Sequence, residues 1–556
     1  MPSVRSSPSS ASSSSAERAA DRSAFRSLAD ELRTLARAQP GTPATIVAAR
    51  RWGRLVYEET TYEELDRQSE ELAAGLAAMG VTPGTKVAML VPPTGDFFAL
   101  AFGLMKACAV PVLVDPGIGV RSLKACLDEA DPSVFVGVPR AHVARGLFGW
   151  CPNVRLRVSV GFFPECEALT DVRRVGRAAL PTFRPPRAEP DALAGVLFTS
   201  GSTGVPKGVE YLHRHFTAQV SIIRALYEIE PGEMNLATFP PFALFGPALG
   251  MSTVIPEMDP TRPARIDPTR LLDAADRYGA TLMFGSPAVL DTVGRYGERT
   301  GAKLPSLRRV ISAGAPAMPR SLRRFCAMLR EGAQVFTPYG ATESLPVCNV
   351  GSDEVLAQER AGICVGRPAP GVRVGIVPIT DAPMPEVGGT LPAFEIGEVI
   401  VSGPNVTLAY HQRAHATALA KTRWDGQPAH RMGDLGWFDA QGRLWFAGRK
   451  AHRVKAGRRT LFSVPVEEVY NLHPDVYRTA LVGVAGEPVL CVELERGVAP
   501  SEGLTEAILA LGRADAHDTG ATLVRRVLYH PAFPVDIRHN SKIDRERLAT
   551  WAAGRR

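Results

Sequence analysis

The chain of 556 residues reads as α/β: a large N-terminal domain of layered βαβ units with a β-rich subdomain, followed by a small α+β C-terminal domain. Three observations lead there. Between about residues 45 and 345, short apolar runs of strand character alternate with amphipathic helical segments, the grammar of a sheet layered with helices. After about residue 360, short β-like segments with Gly/Pro turns take over. The length exceeds what one ordinary core supports, so two or more domains are expected. On this reading residues 1–24 are a disordered Ser-rich tail, 25–448 the large domain and 449–556 a small mobile domain.

The elements follow in order. Residues 1–24 are rich in Ser, Ala and Arg and lack an apolar h-region, which fits a disordered tail rather than a signal peptide. The longest apolar run, 97–105, is stopped by Lys106, far short of a bilayer span, so no transmembrane helix is expected. In 122–130, Leu123, Cys126, Leu127 and Ala130 fall at helical spacing, and Asp131-Pro132 ends the helix before a strand at 134–136. Residues 194–198 form a short apolar run of buried-strand type. Residues 269–278 are helical by period, 281–284 form a strand, and Ser286-Pro287 supplies the N-cap and first position of the next helix. Segments 397–401 and 443–446 read as β. Beyond Arg449 come a helix at 466–472, strands at 479–484 and 489–494, a helix near 505–511 and a last strand before Pro534.

Composition excludes several function classes. A formal charge of +7 and a pI near 9.0 are modest for this length, and the basic residues are scattered Arg rather than a dense block, which argues against nucleic acid as a partner. The eight cysteines show neither CxxC pairs nor framework spacing, which fits reduced thiols in a cytoplasm and gives no metal site.

The chemistry concentrates in three constellations. Thr199-Ser200-Gly201-Ser202-Thr203-Gly204-Val205-Pro206-Lys207-Gly208 follows the strand at 194–198, so it emerges at the carboxyl edge of a sheet, where α/β folds bind ligands. Its glycines let backbone N–H groups turn toward an anion, its hydroxyls add neutral donors and Lys207 adds charge: a polyphosphate grip, against the alternative of an ordinary Gly/Ser turn. It is no Walker A loop, because Lys207 lies between Pro206 and Gly208, and Pro206 and Gly208 also break the dinucleotide fingerprint.

Thr337-Pro338-Tyr339-Gly340-Ala341-Thr342-Glu343 follows a strand at 334–336 and ends with a hydroxyl beside a carboxylate, a pair that can serve phosphate and Mg²⁺ together. A turn with a solvated Glu is the alternative. Arg431-Met432-Gly433-Asp434-Leu435-Gly436 reads as an Asp on a tight turn, able to accept from the two hydroxyls of a ribose or simply to cap the backbone. Residues 442–449 then close a hairpin-like unit ending in Arg449. The chain overwhelmingly uses Arg as its cation, so Lys207 and Lys542 stand out as positions that need an ammonium, against the alternative of chance placement.

Together these segments resemble the adenylate-forming superfamily of acyl-CoA synthetases, peptide-synthetase adenylation domains and luciferases, in motif order from about residue 30 to 556. The resemblance implies that Thr199, Ser200, Gly201, Ser202, Thr203, Gly204 and Lys207 bind the β- and γ-phosphates of ATP. It implies that Ser312-Ala313-Gly314-Ala315-Pro316 lines the adenine, that Tyr339 and Gly340 border it, and that Thr342 and Glu343 serve phosphate and Mg²⁺, with Glu343 the metal ligand. Asp434 and Arg449 would hold the ribose, and Lys542 would stabilise charge as a carboxylate attacks the α-phosphate.

A narrower resemblance is to the β-lactone synthetases of bacterial olefin biosynthesis, OleC, carried by VPVLVDPG at 110–117, TFPPFALFGPALG at 238–250, IPEMDPTRP at 255–263 and HPAFPVDIRHNSK at 530–542. It implies closure of a 2-alkyl-3-hydroxy fatty acid to a β-lactone through an acyl-adenylate, with neighbouring β-lactone decarboxylase and β-keto acid reductase enzymes as partners. Phe242, Ala243, Phe245, Gly246 and Phe284 are candidates for the acyl pocket, with Leu345 beside them, and core packing is the alternative role of the apolar ones. Ala243 stands where acyl-CoA synthetases often carry His or an aromatic, leaving room beside the carbonyl. Ala451 stands where they carry a hinge Asp or Lys, which leaves the rotation used for thioester formation without its usual hinge residue; Lys455 and Gly457 keep a trace of that motif. A long-chain acyl-CoA or acyl-carrier ligase and a silent nucleotide-binding partner in a lipid-synthesis assembly are the competing readings. His213 and His215 follow the phosphate loop as structural residues or as bases for the β-hydroxyl.

Overall fold

The computed structural model describes residues 25–199, 206–357, 362–535 and 543–555. The expected tail, loop residues Ser200, Gly201, Ser202, Thr203 and Gly204, and Lys542 lie outside them.

Two seven-stranded sheets, each parallel except for one antiparallel edge pair, form the layered region. One runs Glu167–Ala168, Leu156–Ser159, Val134–Gly137, Lys86–Leu90, Val110–Leu113, Leu193–Phe198 and Gly208–Leu212. The other runs Gln334–Phe336, Arg309–Ile311, Leu282–Phe284, Met234–Ala237, Ser252–Ile255, Pro43–Arg51 and Arg54–Thr61. A single apolar core draws on both sheets, from Val87, Val134 and Val158 to Leu282 and Ile311, with Leu72, Phe98, Leu100 and Phe102 from the helices Tyr62–Ala78 and Gly95–Lys106. The second of these helices is buried on every side from Phe97 to Lys106, as a helix apolar all round must be. It is therefore a core layer of the protein, and the charge that ends the run is satisfied internally: Lys106 Nζ donates to Asp66 Oδ1 at 2.5 Å and to Asp66 O at 2.6 Å. Among the described residues no helix is long and apolar enough to cross a membrane.

The expected helices and strands of this region form close to their anticipated bounds: Val120–Ala130, Val134–Gly137, Pro268–Tyr278, Leu282–Phe284, and Pro287–Thr300 capped by Ser286, whose Oγ accepts from Val289 N–H at 3.4 Å. The β-rich part is an antiparallel sheet in the order Tyr339–Ala341, Ser344–Asn349, Ile363–Pro368, Leu444–Arg449, Gln427–Phe438, Gly397–Ser402 and Arg373–Val377, with Lys421–Trp424 paired to Gln427–Phe438.

After Arg449 a 3-10 turn, Lys450–His452, leads to the hairpin Val454–Ala456 and Arg459–Leu461 and to a three-stranded sheet of Val476–Val484, Glu487–Leu494 and Arg526–Tyr529. The helix expected at 466–472 is Ser463–Tyr470. Pro465 explains the earlier start, since proline is tolerated in a first turn, whose N–H groups have no helical partner, and not further in. These elements share an apolar cluster of their own around Val466, Tyr470, Leu481, Leu490 and Ile508. The turn is tied to the β-rich sheet: Lys450 Nζ donates to Glu398 Oε1 at 2.9 Å and Thr380 O at 2.8 Å, and Arg453 pairs with Asp381 at 2.8 Å. Glu398 also receives Arg431 Nη2 at 2.6 Å, and both partners of that ion pair are about 1% exposed.

Candidate active site

The carboxyl end of strand Leu193–Phe198 opens into the loop that carries Lys207. Thr199 N–H donates to Lys207 O at 3.0 Å and Lys207 N–H donates to Thr199 Oγ1 at 3.2 Å, so the loop has a closed neck at the sheet edge. Strand Gly208–Leu212 is then used on both sides. One edge pairs with Leu193–Phe198; on the other, Glu210 N–H donates to Ala409 O at 3.2 Å and His411 N–H to Gly208 O at 2.7 Å. This second seam brings Tyr410 to the loop, with Lys207 Nζ 4.9 Å from the centre of its ring.

Tyr410 in turn reaches Glu343. Its hydroxyl donates to Glu343 Oε1 at 2.5 Å, and burial with the nearby carboxylate pushes the phenol well above its usual range. The carbonyl of Glu343 accepts from both N–H and Oγ1 of Thr407, each at 3.0 Å. Thr342 is fixed through its own carbonyl, which accepts from the Tyr211 hydroxyl. Glu343 is thus held at both ends, while its Oε2 has no hydrogen-bond partner among the described residues and is a hard oxygen of the kind Mg²⁺ takes.

Asp434 is not on a tight turn. It sits inside the long strand Gln427–Phe438, opposite Arg449 on Leu444–Arg449. The flanking glycines have other reasons: Gly433 has φ +64° and a Cβ on Gly436 would lie 2.5 Å from Trp445 O, beside a shift in register. They mark an irregular strand, a feature that shares its glycine signal with turns. Arg449 Nη1 pairs with Asp434 Oδ1 at 3.0 Å, and the Tyr339 hydroxyl donates to Asp434 Oδ2 at 2.6 Å. The carboxylate raises the affinity of Arg449 for its proton, and burial followed by the same carboxylate raises that of Tyr339.

Ser312 to Pro316 follows the carboxyl end of strand Arg309–Ile311. Ser312 N–H donates to Phe336 O at 2.8 Å, while its buried Oγ has no partner among the described residues. Gly314 has φ +100° and is exposed, as is Pro316; Ala315 is half-buried. Among the acyl-pocket candidates, Phe242 and Phe284 stack with centroids 4.0 Å apart, Phe245 lies 6.2 Å from Phe242, and Ala243 is fully buried. Gly246 is a packing position: a Cβ there would meet Thr253 Oγ1 at 1.8 Å.

The structure therefore gathers Lys207, Thr342, Glu343, Tyr339, Asp434 and Arg449 around residues that the sequence reading passed over: Tyr410, Thr407, Lys421 and His430. Lys421 Nζ donates to Thr407 Oγ1 at 3.0 Å and lies 5.7 Å from the Tyr410 ring centre. Although part of its surface is exposed, burial among protein atoms pulls its ammonium down to about 7, against the pull of Glu343. His430, its cross-strand partner, is buried and held neutral by burial and by Lys421. The scarcity of lysine that singled out Lys207 applies equally to Lys421. His213 and His215 are buried; burial and the Arg214 and Lys421 charges bring His215 down to about 3, and its Nδ1 accepts Leu212 N–H at 3.1 Å. Those roles are structural.

The chain matches the model of the AMP-binding enzyme family over residues 32–411. It is 46% identical over 553 residues to an olefin beta-lactone synthetase of Xanthomonas campestris pv. campestris, covering 95% of this chain and 98% of that protein. The likeness to the olefin beta-lactone synthetase of Stenotrophomonas maltophilia is also 46%, over 549 residues, with the same coverage of 95% and 98%. Among solved structures, the amide bond synthetase McbA of Marinactinospora thermotolerans superimposes with a TM-score of 0.77 at 27% identity, covering 94% of this chain and 99% of that one. With a family match spanning most of its length and relatives of this similarity along nearly all of it, the chain belongs to the AMP-binding enzyme family.

Proposed function

We propose that this chain is an ATP-dependent β-lactone synthetase, which closes a 2-alkyl-3-hydroxy fatty acid to its β-lactone and releases AMP and pyrophosphate. The near full-length similarity to two olefin beta-lactone synthetases carries this reading. The site supports it: a cationic loop neck, a carboxylate with one uncommitted oxygen, and an Asp–Arg pair lie within one connected group of residues.

In this reading Thr199, Ser200, Gly201, Ser202, Thr203, Gly204 and Lys207 hold the phosphates; Gly314, Ala315 and Pro316, with Tyr339 and Gly340, border the adenine; and Asp434 and Arg449 take the ribose. Thr342 and Glu343 would hold Mg²⁺ against the phosphates, and the bound cation would supply charge neutralisation there. Lys542 stabilises the charge that develops at the α-phosphate. Phe242, Phe245 and Phe284 shape the apolar side, with Ala243 leaving the carbonyl uncrowded. In the first half-reaction a substrate carboxylate oxygen bonds to the α-phosphorus of ATP, the bond between the α- and β-phosphates breaks, and pyrophosphate leaves. In the second, the β-hydroxyl oxygen attacks the activated carbonyl carbon, the hydroxyl proton is released, the bond from that carbon to the phosphate oxygen breaks, and the oxygen leaves on AMP. A tethered nucleophile acts at an effective concentration of roughly 10⁵ to 10⁸ M when well oriented, which offsets the strain of a four-membered ring. A cytoplasmic location beside decarboxylase and reductase enzymes of the same pathway completes the proposal.

The test is incubation with ATP, Mg²⁺ and a defined 2-alkyl-3-hydroxy acid in the absence of CoA, followed by product mass spectrometry. β-Lactone with stoichiometric AMP is expected. AMP release that requires CoA, with a thioester as product, would refute the cyclisation in favour of a ligase.

A further inference from the structure

Lys421 touches both residues that hold Glu343. Its ammonium donates to Thr407 Oγ1 at 3.0 Å, and Thr407 donates twice to the Glu343 carbonyl. The same ammonium lies 5.7 Å from the ring centre of Tyr410, within the range of a cation–π contact, and Tyr410 donates to the Glu343 carboxylate. One cation thus converges on the two residues that hold Glu343, one at its main-chain carbonyl and one at its carboxylate, from strand Lys421–Trp424.

The choice of residue is informative. This chain uses nine lysines against fifty-five arginines. A guanidinium is a planar fork, whereas an ammonium is a compact charge with three rotatable donors, able to serve a hydroxyl on one side and a ring face on another. An aliphatic side chain at 421 would fill space at lower desolvation cost but would leave the Thr407 hydroxyl without its donor.

We propose that Lys421 is a positioning residue of the active site, fixing Glu343 through Thr407 and Tyr410 so that its carboxylate is presented to the Mg²⁺ of bound MgATP. This rests on the reading of Glu343 as the metal ligand. It does not place Lys421 in contact with substrate.

The test is calorimetric binding of ATP, with Mg²⁺ and separately in EDTA, to the full-length protein and to Lys421→Met, Thr407→Val, their double variant and Lys421→Arg. Lys421→Met is expected to weaken MgATP binding about tenfold while leaving metal-free ATP binding within twofold, and Thr407→Val to do the same. The double variant should lose clearly less than the two single losses added together, because the Thr407 arm is shared while the Tyr410 arm runs through Lys421 alone. Lys421→Arg should recover part of the loss. In turnover, the Mg²⁺ concentration for half-maximal rate should rise while the KM for the hydroxy acid stays put.

Equal weakening with and without Mg²⁺, or additive losses in the double variant, would overturn the inference by reducing Lys421 to a general packing role. If Lys421→Met does not fold, Thr407→Val decides alone by the same criterion. Glu343→Gln separates the two levels: if it abolishes the Mg²⁺ advantage while Lys421→Met and Thr407→Val keep it, only the positioning role fails. If Glu343→Gln itself keeps the advantage, the metal-ligand reading fails and takes this inference with it.

Discussion

Replacing Glu398 by Gln removes the one negative charge from a buried cluster while keeping its shape. In the wild type, Glu398 Oε2 accepts from Arg431 Nη2 at 2.6 Å and Nε at 3.2 Å, and Oε1 accepts from Lys450 Nζ at 2.9 Å. With Glu398 and Arg431 both about 1% exposed, losing one partner of such a pair costs on the order of 3–5 kcal/mol, because the other charge is left uncompensated. Two features pull the value to the lower end. Arg431 keeps carbonyl acceptors on Thr380, Ala382 and Leu419, and the Lys450 side chain is 18% exposed. The expected loss is about 3 kcal/mol, roughly a hundredfold in the unfolding equilibrium. Urea titration of the full-length protein, followed by tryptophan fluorescence, reads the β-rich sheet through Trp424, Trp437 and Trp445, all of which lie on its strands. A loss below about 0.5 kcal/mol, the range of exposed pairs, would refute the claim that this cluster is a desolvated ion-pair network.

Three further outcomes are expected. Gly246→Ala should cost about 1–3 kcal/mol by overpacking against Thr253, and Thr253→Ala in the same chain should restore part of it; unchanged stability with altered acyl-chain selectivity would return Gly246 to the pocket wall. Asp434→Asn should raise the KM for ATP about tenfold or more by weakening a charge-assisted contact while leaving Arg449 unpaired, and Tyr339→Phe should do less; an ATP titration that leaves the KM unmoved would remove the ribose role. Burial raises Glu468 from 4.5 to about 7, so the folded chain keeps a proton that the unfolded chain sheds, and stability should fall as pH rises from about 4.5 through 7. Glu468→Gln should therefore match wild type near pH 5 and exceed it near pH 8 in denaturant midpoints; parallel curves would contradict this.

Much of the fold was legible because its signals are local. The alternation of Val134–Gly137 with Val120–Ala130, or the Ser286-Pro287 start of Pro287–Thr300, is written in adjacent residues. The errors have equally specific causes. Gly433 and Gly436 flank Asp434 as turn glycines would, yet one serves a positive φ and the other a close approach to Trp445, a contact made with the neighbouring strand and so invisible in the segment itself. The residues around Glu343 were missed for the same reason. Tyr410 and Thr407 lie more than sixty positions away in the chain, and they arrive through a seam between Gly208–Leu212 and residues 409–411 that no periodicity announces. Lys421 was recoverable, since the scarcity of lysine that singled out Lys207 marks it too.

The doubly paired strand Gly208–Leu212 makes the site a single mechanical unit. Lys207, the residue just before it, closes the neck with Thr199, and its outer edge carries the segment that presents Tyr410 to Glu343. A displacement of the neck toward an incoming anion is felt at the carboxylate, because Tyr410 links the two: its segment is bonded to the ribbon's outer edge and its hydroxyl to Glu343. The spacing between the two grips is therefore gauged by the protein's own ladder and side-chain hydrogen bonds rather than by a ligand drawing two loops together.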